Sequence, residues 1–433
     1  MRLNQDDESC MSANYYRRAL AVAAVLVFFT NFSVYVSLGE IARVSPWHII
    51  LIFGAAAIPL FFSREYLSSV GRTPVAYWCY GFVLMSGVWL LFQRSPSEAS
   101  WQELRIRVLS SLFLLILLPI FAEPDAQIWA RRAILAAVFI AVSFDVYEMF
   151  HPLAFSVVAG RSAGLYVNSN QAGAALVLGL IFGAGILPQR YRLLFALIAG
   201  AGVFLTVSRG AILGWLVSVV ILIKSGEINL KRSLAIGGAV LVIVTFLLMT
   251  QWNSLQNQLM DLGVLNKDVA QRIEGFLDFR DFDADESAVR RKEIARGAWG
   301  MFSNSPIVGN GVAASLEGYC EVPSHNEYLS LMVDHGLGGF FILPLLVLGA
   351  AWRVKGQASR IAKAASFFVL FWGLFSHNVL TEHYILLTIS LLAAMSKSSR
   401  ACRREPERVG HLSPVFFSTE AGYVRYCGLS QSK

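Results

Sequence analysis

Apolar residues recur along this chain in blocks of about 16 to 20, each bounded by charged or turn-forming residues. A helix needs roughly 20 such residues to cross about 30 Å of hydrocarbon. Strands of a transmembrane barrel would instead alternate over about ten residues, and that alternation is absent. With 56% hydrophobic and 15% charged residues, the chain has too little charge for a water-soluble globule. A soluble enzyme, a disulfide-stapled secreted domain and a disordered chain are excluded. The pattern predicts an all-α polytopic membrane protein.

Twelve spans are expected, centred on Val25, Gly54, Leu84, Phe113, Val138, Leu176, Ile198, Leu216, Leu241, Leu345, Val369 and Leu387. Between Thr250 and Leu337 lie about 85 residues of mixed polarity, with an acidic stretch and several arginines, expected to fold outside the membrane. Spans one to nine thus occupy residues 1–250, a largely helical loop domain 251–337, spans ten to twelve 338–396, and a basic tail 397–433.

An even number of spans puts both termini on one side and divides the loops into two sets. Of the 36 lysines and arginines, 23 fall on the side of the termini, and every short loop there carries at least two. Of the other 13, seven sit in the long loop. The short loops of that side hold isolated cations, Arg43, Arg161 and Arg209, apart from one stretch with Arg94, Arg105 and Arg107. Positive residues stay cytoplasmic, so both termini are expected inside and the long loop outside. The net charge of +7 is then a topology signal and calls for no nucleic-acid partner. No small-residue cleavage site follows the first apolar run, which is expected to stay as an anchor. The five cysteines, Cys10, Cys79, Cys320, Cys402 and Cys427, are odd in number and widely spaced, which argues against a disulfide framework or a zinc site.

Arginine at mid-membrane costs about 2.5–3.5 kcal/mol on insertion scales, so arginines at the outer ends of spans need a reason. Three groups stand out. Arg161 opens a polar run through Asn168, Asn170 and Gln171 just before the sixth span. It suits either a ligand site or interfacial anchoring, with Asn170 as a helix cap. Ser208-Arg209-Gly210 forms the tight outer turn between the seventh and eighth spans, where Arg209 either snorkels to lipid phosphate or binds a ligand. In the long loop, Arg290, Arg291, Lys292 and Arg296 open an amphipathic helix running to Phe302, followed by Pro306 and Gly309-Asn310-Gly311. Downstream, Ser324-His325-Asn326-Glu327-Tyr328 leads into the next apolar stretch, and His325 is a candidate general base. His335, His377 and His383 compete for that role, and Ser376-His377-Asn378 repeats the triplet.

Two apparent metal motifs fail. Asp281-Phe-Asp283-Ala-Asp285 begins like a calcium loop, but Glu286 stands at the sixth position instead of glycine and Lys292 at the twelfth instead of glutamate. Glu317, Glu321 and His325 are spaced four apart, yet Pro323 interrupts the helix that would align them. No nucleotide-binding glycine pattern appears. No metal and no cofactor are expected.

Taken in order, Arg161 with Gly164 and Asn170, Ser208-Arg209-Gly210, Arg291 through Trp299 to Pro306 and Gly309-Asn310-Gly311, then His325-Asn326 with Tyr328-Leu329 and Gly336-Leu337-Gly338, resemble the O-antigen ligase and polymerase superfamily of bacterial envelope glycosyltransferases. The likeness covers about residues 160 to 345. It implies a GT-C-class helical bundle of the bacterial inner membrane, with one large periplasmic loop between spans nine and ten. It implies a glycan donor on undecaprenyl pyrophosphate and an acceptor hydroxyl on lipid A-core, joined at the periplasmic face with inversion and without metal. On that resemblance Arg161, Arg209 and Arg291 bind the pyrophosphate and His325 is the base, with Asn170, Ser208, Asn326 and His377 as supporting residues. Arg291 is taken over Arg290 for its spacing to Trp299 and Pro306. The single long loop favours a ligase over a polymerase or a protein O-oligosaccharyltransferase. A secondary transporter is the reading from another class, weakened because ionisable residues gather at the outer surface instead of the midplane.

Overall fold

The computed structural model describes residues 3–38, 44–62, 71–93, 95–158, 160–231, 286–317 and 324–404. The expected ninth span around Leu241, most of the long loop including Asp281 to Asp285, the stretch with Cys320, Glu321 and Pro323, and the tail beyond Arg404 lie outside the described residues. Every regular element described is helical: α1 (Leu3–Ala24), α2 (Phe32–Leu38), α3 (Pro46–Phe61), α4 (Pro74–Phe92), α5 (Glu98–Ile120), α6 (Pro124–Phe150), α7 (Ser169–Gly183), α8 (Gln189–Leu205), α9 (Arg209–Lys224), α10 (Glu286–Asn304), α11 (Ala314–Glu317), α12 (Glu327–His335), α13 (Ile342–Ala350), α14 (Gln357–Trp372) and α15 (His383–Arg404).

Four of these stretches have the length and apolarity to cross a membrane: Pro74–Phe92, Pro124–Phe150, Ser169–Ile186 and Glu327–Ala350. The bent pair Asn14–Phe29 and Phe32–Leu38 makes a fifth. The protein is thus a multi-pass membrane protein. Among the described residues, which leave out the expected span around Leu241, the count is below twelve because α3, α8, α9 and α14 are only 16 to 17 residues long, while α5 carries Glu103, Arg105 and Arg107. The first span departs from a straight rod. A π-turn over Val25–Phe29 is followed by Asn31 at φ 61°, and the chain bends by 46°. Asparagine tolerates that left-handed conformation better than its apolar neighbours do.

Contacts at both ends fix the helix directions. The end of α8 meets Arg161, whose Nε donates to the Thr206 carbonyl at 3.2 Å, whereas its start meets the end of α9, where Arg192 pairs with Glu227 at 2.9 Å. Successive helices therefore run up and down. Helix α7 sits at the centre, buried along its length and packed against α6, α8, α9, α14 and α15. Its glycines permit the approach. A Cβ at Gly173 would fall 2.6 Å from Ala211 on α9, and one at Gly179 would fall 2.2 Å from Val138 on α6. Large apolar side chains on outer faces stay exposed, among them Phe62, Leu91 and Phe92, as lipid-facing positions should.

Beside the bundle, α10 lays Ile294, Ala298 and Phe302, one helical stripe, toward α12 and its Val333. The loop after it threads between α4, α5 and α12. Trp89 donates to Val308 O at 2.7 Å, Ser100 to Val312 O at 2.9 Å, and Asn310 N to Val333 O at 2.8 Å. The crossing is too close for side chains at two positive-φ glycines. A Cβ at Gly309 would lie 2.4 Å from Asp334 O, and one at Gly336 would lie 2.3 Å from Ile307 O. These motif glycines serve the fold.

The Arg107 assigned above to an outer loop lies inside α5, 4% exposed. Its guanidinium bonds Glu103 at 2.9 Å, Asp334 at 2.5 Å and His335 at 2.6 Å. Asp334 also accepts from Ser315 N at 2.9 Å. This explains the one irregular loop in the charge count: one of its arginines is neutralised within the protein. Arg107→Ala leaves Asp334 buried without its cation and should cost about 3–5 kcal/mol. The expected outcome is a lower thermal midpoint in detergent; an unchanged midpoint would contradict the pairing.

Candidate functional site

The site end of the bundle carries the starts of α7, α9 and α12 and the loop 373–382 between α14 and α15. One corner is built by Arg161. Besides Thr206 O, it donates through Nη2 to Asn170 Oδ1 at 2.9 Å, and its loop is tied to the end of α8 by Ser162 N to Leu205 O at 3.1 Å. The loop owes its shape to Glu148, buried at the end of α6, whose carboxylate accepts backbone N–H groups from Phe155, Ser156, Ala163 and Gly164. A carboxylate so saturated is a firm scaffold. The cap of α7 is Asn168, which accepts from Asn170 N at 2.9 Å. Asn170 is therefore not the cap; its amide is free to hold Arg161.

Two residues beyond Thr206, the buried Ser208 starts α9 and Arg209 is its first residue. The turn is tight because Val207 takes φ 50°, and Gly173 of α7 abuts Thr206 and Ser208. Gly210, on the other side, lies against Trp372 and Phe375 at the end of α14. Arg161, Asn170, Ser208 and Arg209 thus share one corner.

A second group gathers around His325. Its ring meets that of His377 edge to face at 5.2 Å. One side of His325 stays exposed, while the protein packed on the other side, and then the positive charge of Arg291 on α10, hold its pKa below the ordinary 6.5. His377 is lowered to about 4, by burial and then by His325. Both imidazoles are neutral at pH 7, the state in which one can accept a proton. Asn326 caps α12 by accepting from Leu329 N at 3.0 Å. Glu327, read above as either an orienting group or a solvated carboxylate, is 4% exposed. It accepts from Val379 N at 3.1 Å, and its own N–H donates to Gly373 O at 2.8 Å. It therefore clamps the loop that carries His377. The competing histidines are elsewhere: His335 is buried against Arg107, and His383 among Phe28, Trp47 and Phe113.

The two groups are joined by Glu382, which no motif marks. Gln171, next to Asn170, donates to its carboxylate, and Asn378, next to His377, also bonds it. From Asn326, a groove of about 660 Å³ runs between α10, α12, α13 and α14, lined by Trp299, Tyr328, Met332, Phe340 and Phe371. Among the described residues no three His, Cys, Asp or Glu side chains gather as a metal site would require.

The histidines make stability depend on pH. Between about pH 4 and 6.5 the unfolded chain protonates His377 and the folded protein does not, so the unfolded state binds more protons and stability rises with pH. The contribution is complete above 6.5 and is lost as pH falls toward 4. His377→Asn should flatten that part of a thermal-midpoint profile; an unaltered slope would remove His377 as its source.

No curated protein matches the chain. Residues 193–344 match the family model described as O-antigen ligase. The matched stretch contains Ser208, Arg209, Arg291, His325 and Asn326, while Arg161, Asn170 and His377, which the fold brings beside them, lie outside it. Over that stretch the chain is similar to the O-antigen ligase family.

Proposed function

We propose that the protein is a GT-C-type glycosyltransferase that moves O-antigen glycan from undecaprenyl pyrophosphate to a sugar hydroxyl of lipid A-core, at the periplasmic face of the inner membrane. The observation that carries this reading is His325, within reach of the charge of Arg291 and next in sequence to Asn326, which lines an apolar groove. A groove of that lining suits a polyprenyl chain, and the adjoining arginines suit its pyrophosphate. Guanidinium offers a fixed fork of donors to phosphate and keeps its charge.

In this reading Arg161, Arg209 and Arg291 hold the donor. The acceptor oxygen attacks the anomeric carbon from the face opposite the pyrophosphate, and configuration inverts. As the new C–O bond forms, His325 Nδ1 or Nε2 takes the hydroxyl proton. The old C–O bond breaks, and its electron pair leaves on the lipid pyrophosphate. That leaving group is a weak base, so fixed positive charge suffices in place of an acid or a metal. His377 packs against His325 and limits its rotation; Asn326 and Ser208 set the starts of the helices that present His325 and Arg209. Ligase is preferred to polymerase because one long loop stands alone in the chain.

The test is transfer by the purified protein from lipid-linked glycan to lipid A-core, with a second lipid-linked repeat offered as the alternative acceptor. Use of the second acceptor alone would make it a polymerase. His325→Ala should lower the rate roughly 10²–10⁴-fold while membrane insertion and donor binding persist; a wild-type rate would remove the base. Arg209→Lys should lose about tenfold or more, since a point charge does not replace a bidentate fork.

A further inference from the structure

We infer that Glu382 is a positioning residue for this transfer, a side-chain bridge that holds the Arg161 corner and the His325–His377 pair in one register. The inference rests on the glycosyl-transfer reading above and adds to it a residue outside both the matched family segment and the motifs.

The bridge can be followed link by link. Arg161 Nη2 bonds Asn170 at 2.9 Å. The next residue along α7, Gln171, donates through Nε2 to Glu382 Oε1. Asn378 also bonds the Glu382 side chain, and Glu382 N donates back to Asn378 O at 2.9 Å. Asn378 follows His377, whose ring faces His325 at 5.2 Å. Between an arginine for the leaving group and a base for the nucleophile there are thus hydrogen-bonded side chains, two single peptide links and one ring contact.

Half-buried Glu382 differs from the fully buried acids Glu148 and Asp334. Glu148 is filled by backbone N–H groups of its own loop, and Asp334 by Arg107 and the backbone. The Glu382 carbonyl starts α15, accepting from Ile385 N at 3.1 Å and Leu386 N at 3.0 Å, but its carboxyl group crosses to another helix. A carboxyl needed only to start α15 would bond the free N–H groups of that helix. The loop's other anchor, Glu327, fixes Val379 to α12. The loop bearing His377 is therefore held at two points, one facing the base and one facing the arginine corner.

The protein around Glu382 pushes its pKa up to about 8, although the bonds from Gln171 and Asn378 act the other way. The titratable groups facing it are Tyr166, from the loop before α7, and Tyr384 on α15, with Asp145 of α6 beyond Tyr166. Near neutrality the group is uncharged, so the bridge places no anion beside the donor. Ionisation adds one.

The test uses the full chain in nanodiscs and the same transfer assay. Glu382→Ala should lower kcat roughly 10- to 100-fold, the scale of an ångström's misplacement, with donor KM within about threefold. Gln171→Ala should behave alike, and the double variant should be no worse than either single one. Glu382→Gln, neutral and able to bond both partners, should recover most of the loss at pH 7 and should lack the wild-type fall in kcat above pH 8. If Glu382→Ala does not elute as a folded species, Gln171→Ala and the Glu382→Gln pH profile carry the test. A wild-type kcat in Glu382→Ala or Gln171→Ala, additive losses, or a Glu382→Gln as impaired as the alanine variant would overturn the role while leaving glycan transfer intact. Absence of transfer by the wild type overturns the functional reading, and this role with it.

Discussion

The structure depends most on the cost of leaving charge without a partner in a medium of lipid and packed side chains. At the site end, Glu148 gathers four backbone N–H groups and thereby shapes the loop of Arg161. Deeper in the bundle, Arg107, Glu103 and Asp334 satisfy one another and pin α5 to α12. At the opposite end, Glu227 is fully buried between Arg192 and Arg360 and ties α9 to α8 and α14. Such pairs add little net stability over apolar packing, but breaking one is expensive. They therefore act as registration points: a helix that slid by one turn would strand a charge.

The same constraint governs which parts of the molecule are legible in the sequence. Long apolar runs must be helices across the membrane, so α4, α6, α7 and the stretch from α12 into α13 are readable from hydropathy alone. Arg161, Ser208, Arg209 and His325 stand out as candidates because polar residues at the ends of spans are costly enough to draw notice. Arg107 is not, since a cation nine residues into α5 looks like loop until Asp334, more than 200 residues away, is brought beside it. Asn168 and Asn170 are equally good caps by residue type, and only backbone geometry separates them. Glu382 ends a short loop and resembles an ordinary solvated carboxylate; its role comes from Gln171, 211 residues upstream. The bend of the first span has only Asn31 to announce it, because the π-turn before it is wholly apolar.

Glycine governs how closely the parts of the site meet. Gly173 lets α7 approach the Thr206–Ser208 turn, and Gly210 lets the start of α9 approach Trp372 and Phe375. With side chains at either position, the Arg161 corner and the His377 loop would stand further apart. Gly309 and Gly336 do the same for the crossing beneath α12, at a distance from His325. The glycines Gly309 and Gly336 of the motifs thus belong to the scaffold, and the polar residues between the motif glycines are left for the proposed chemistry.

Helices α7 at Ser169, α9 at Arg209, α12 at Glu327 and α15 at His383 begin at this end. A helix start carries roughly half a positive charge from its unpaired N–H groups, and here Arg161, Arg209 and Arg291 add whole ones. A site so positive suits the proposed pyrophosphate, but it also depresses the pKa of any base placed within it. His325 lies near Arg291 and is shifted in that direction. The shift weakens the imidazole as a base while ensuring that it is unprotonated at neutral pH. The compromise holds only if the base stands near enough to the acceptor to need little intrinsic basicity, which puts the burden on position. A bridge of neutral side chains from Arg161 to His377 supplies that position without adding a negative charge to repel the donor.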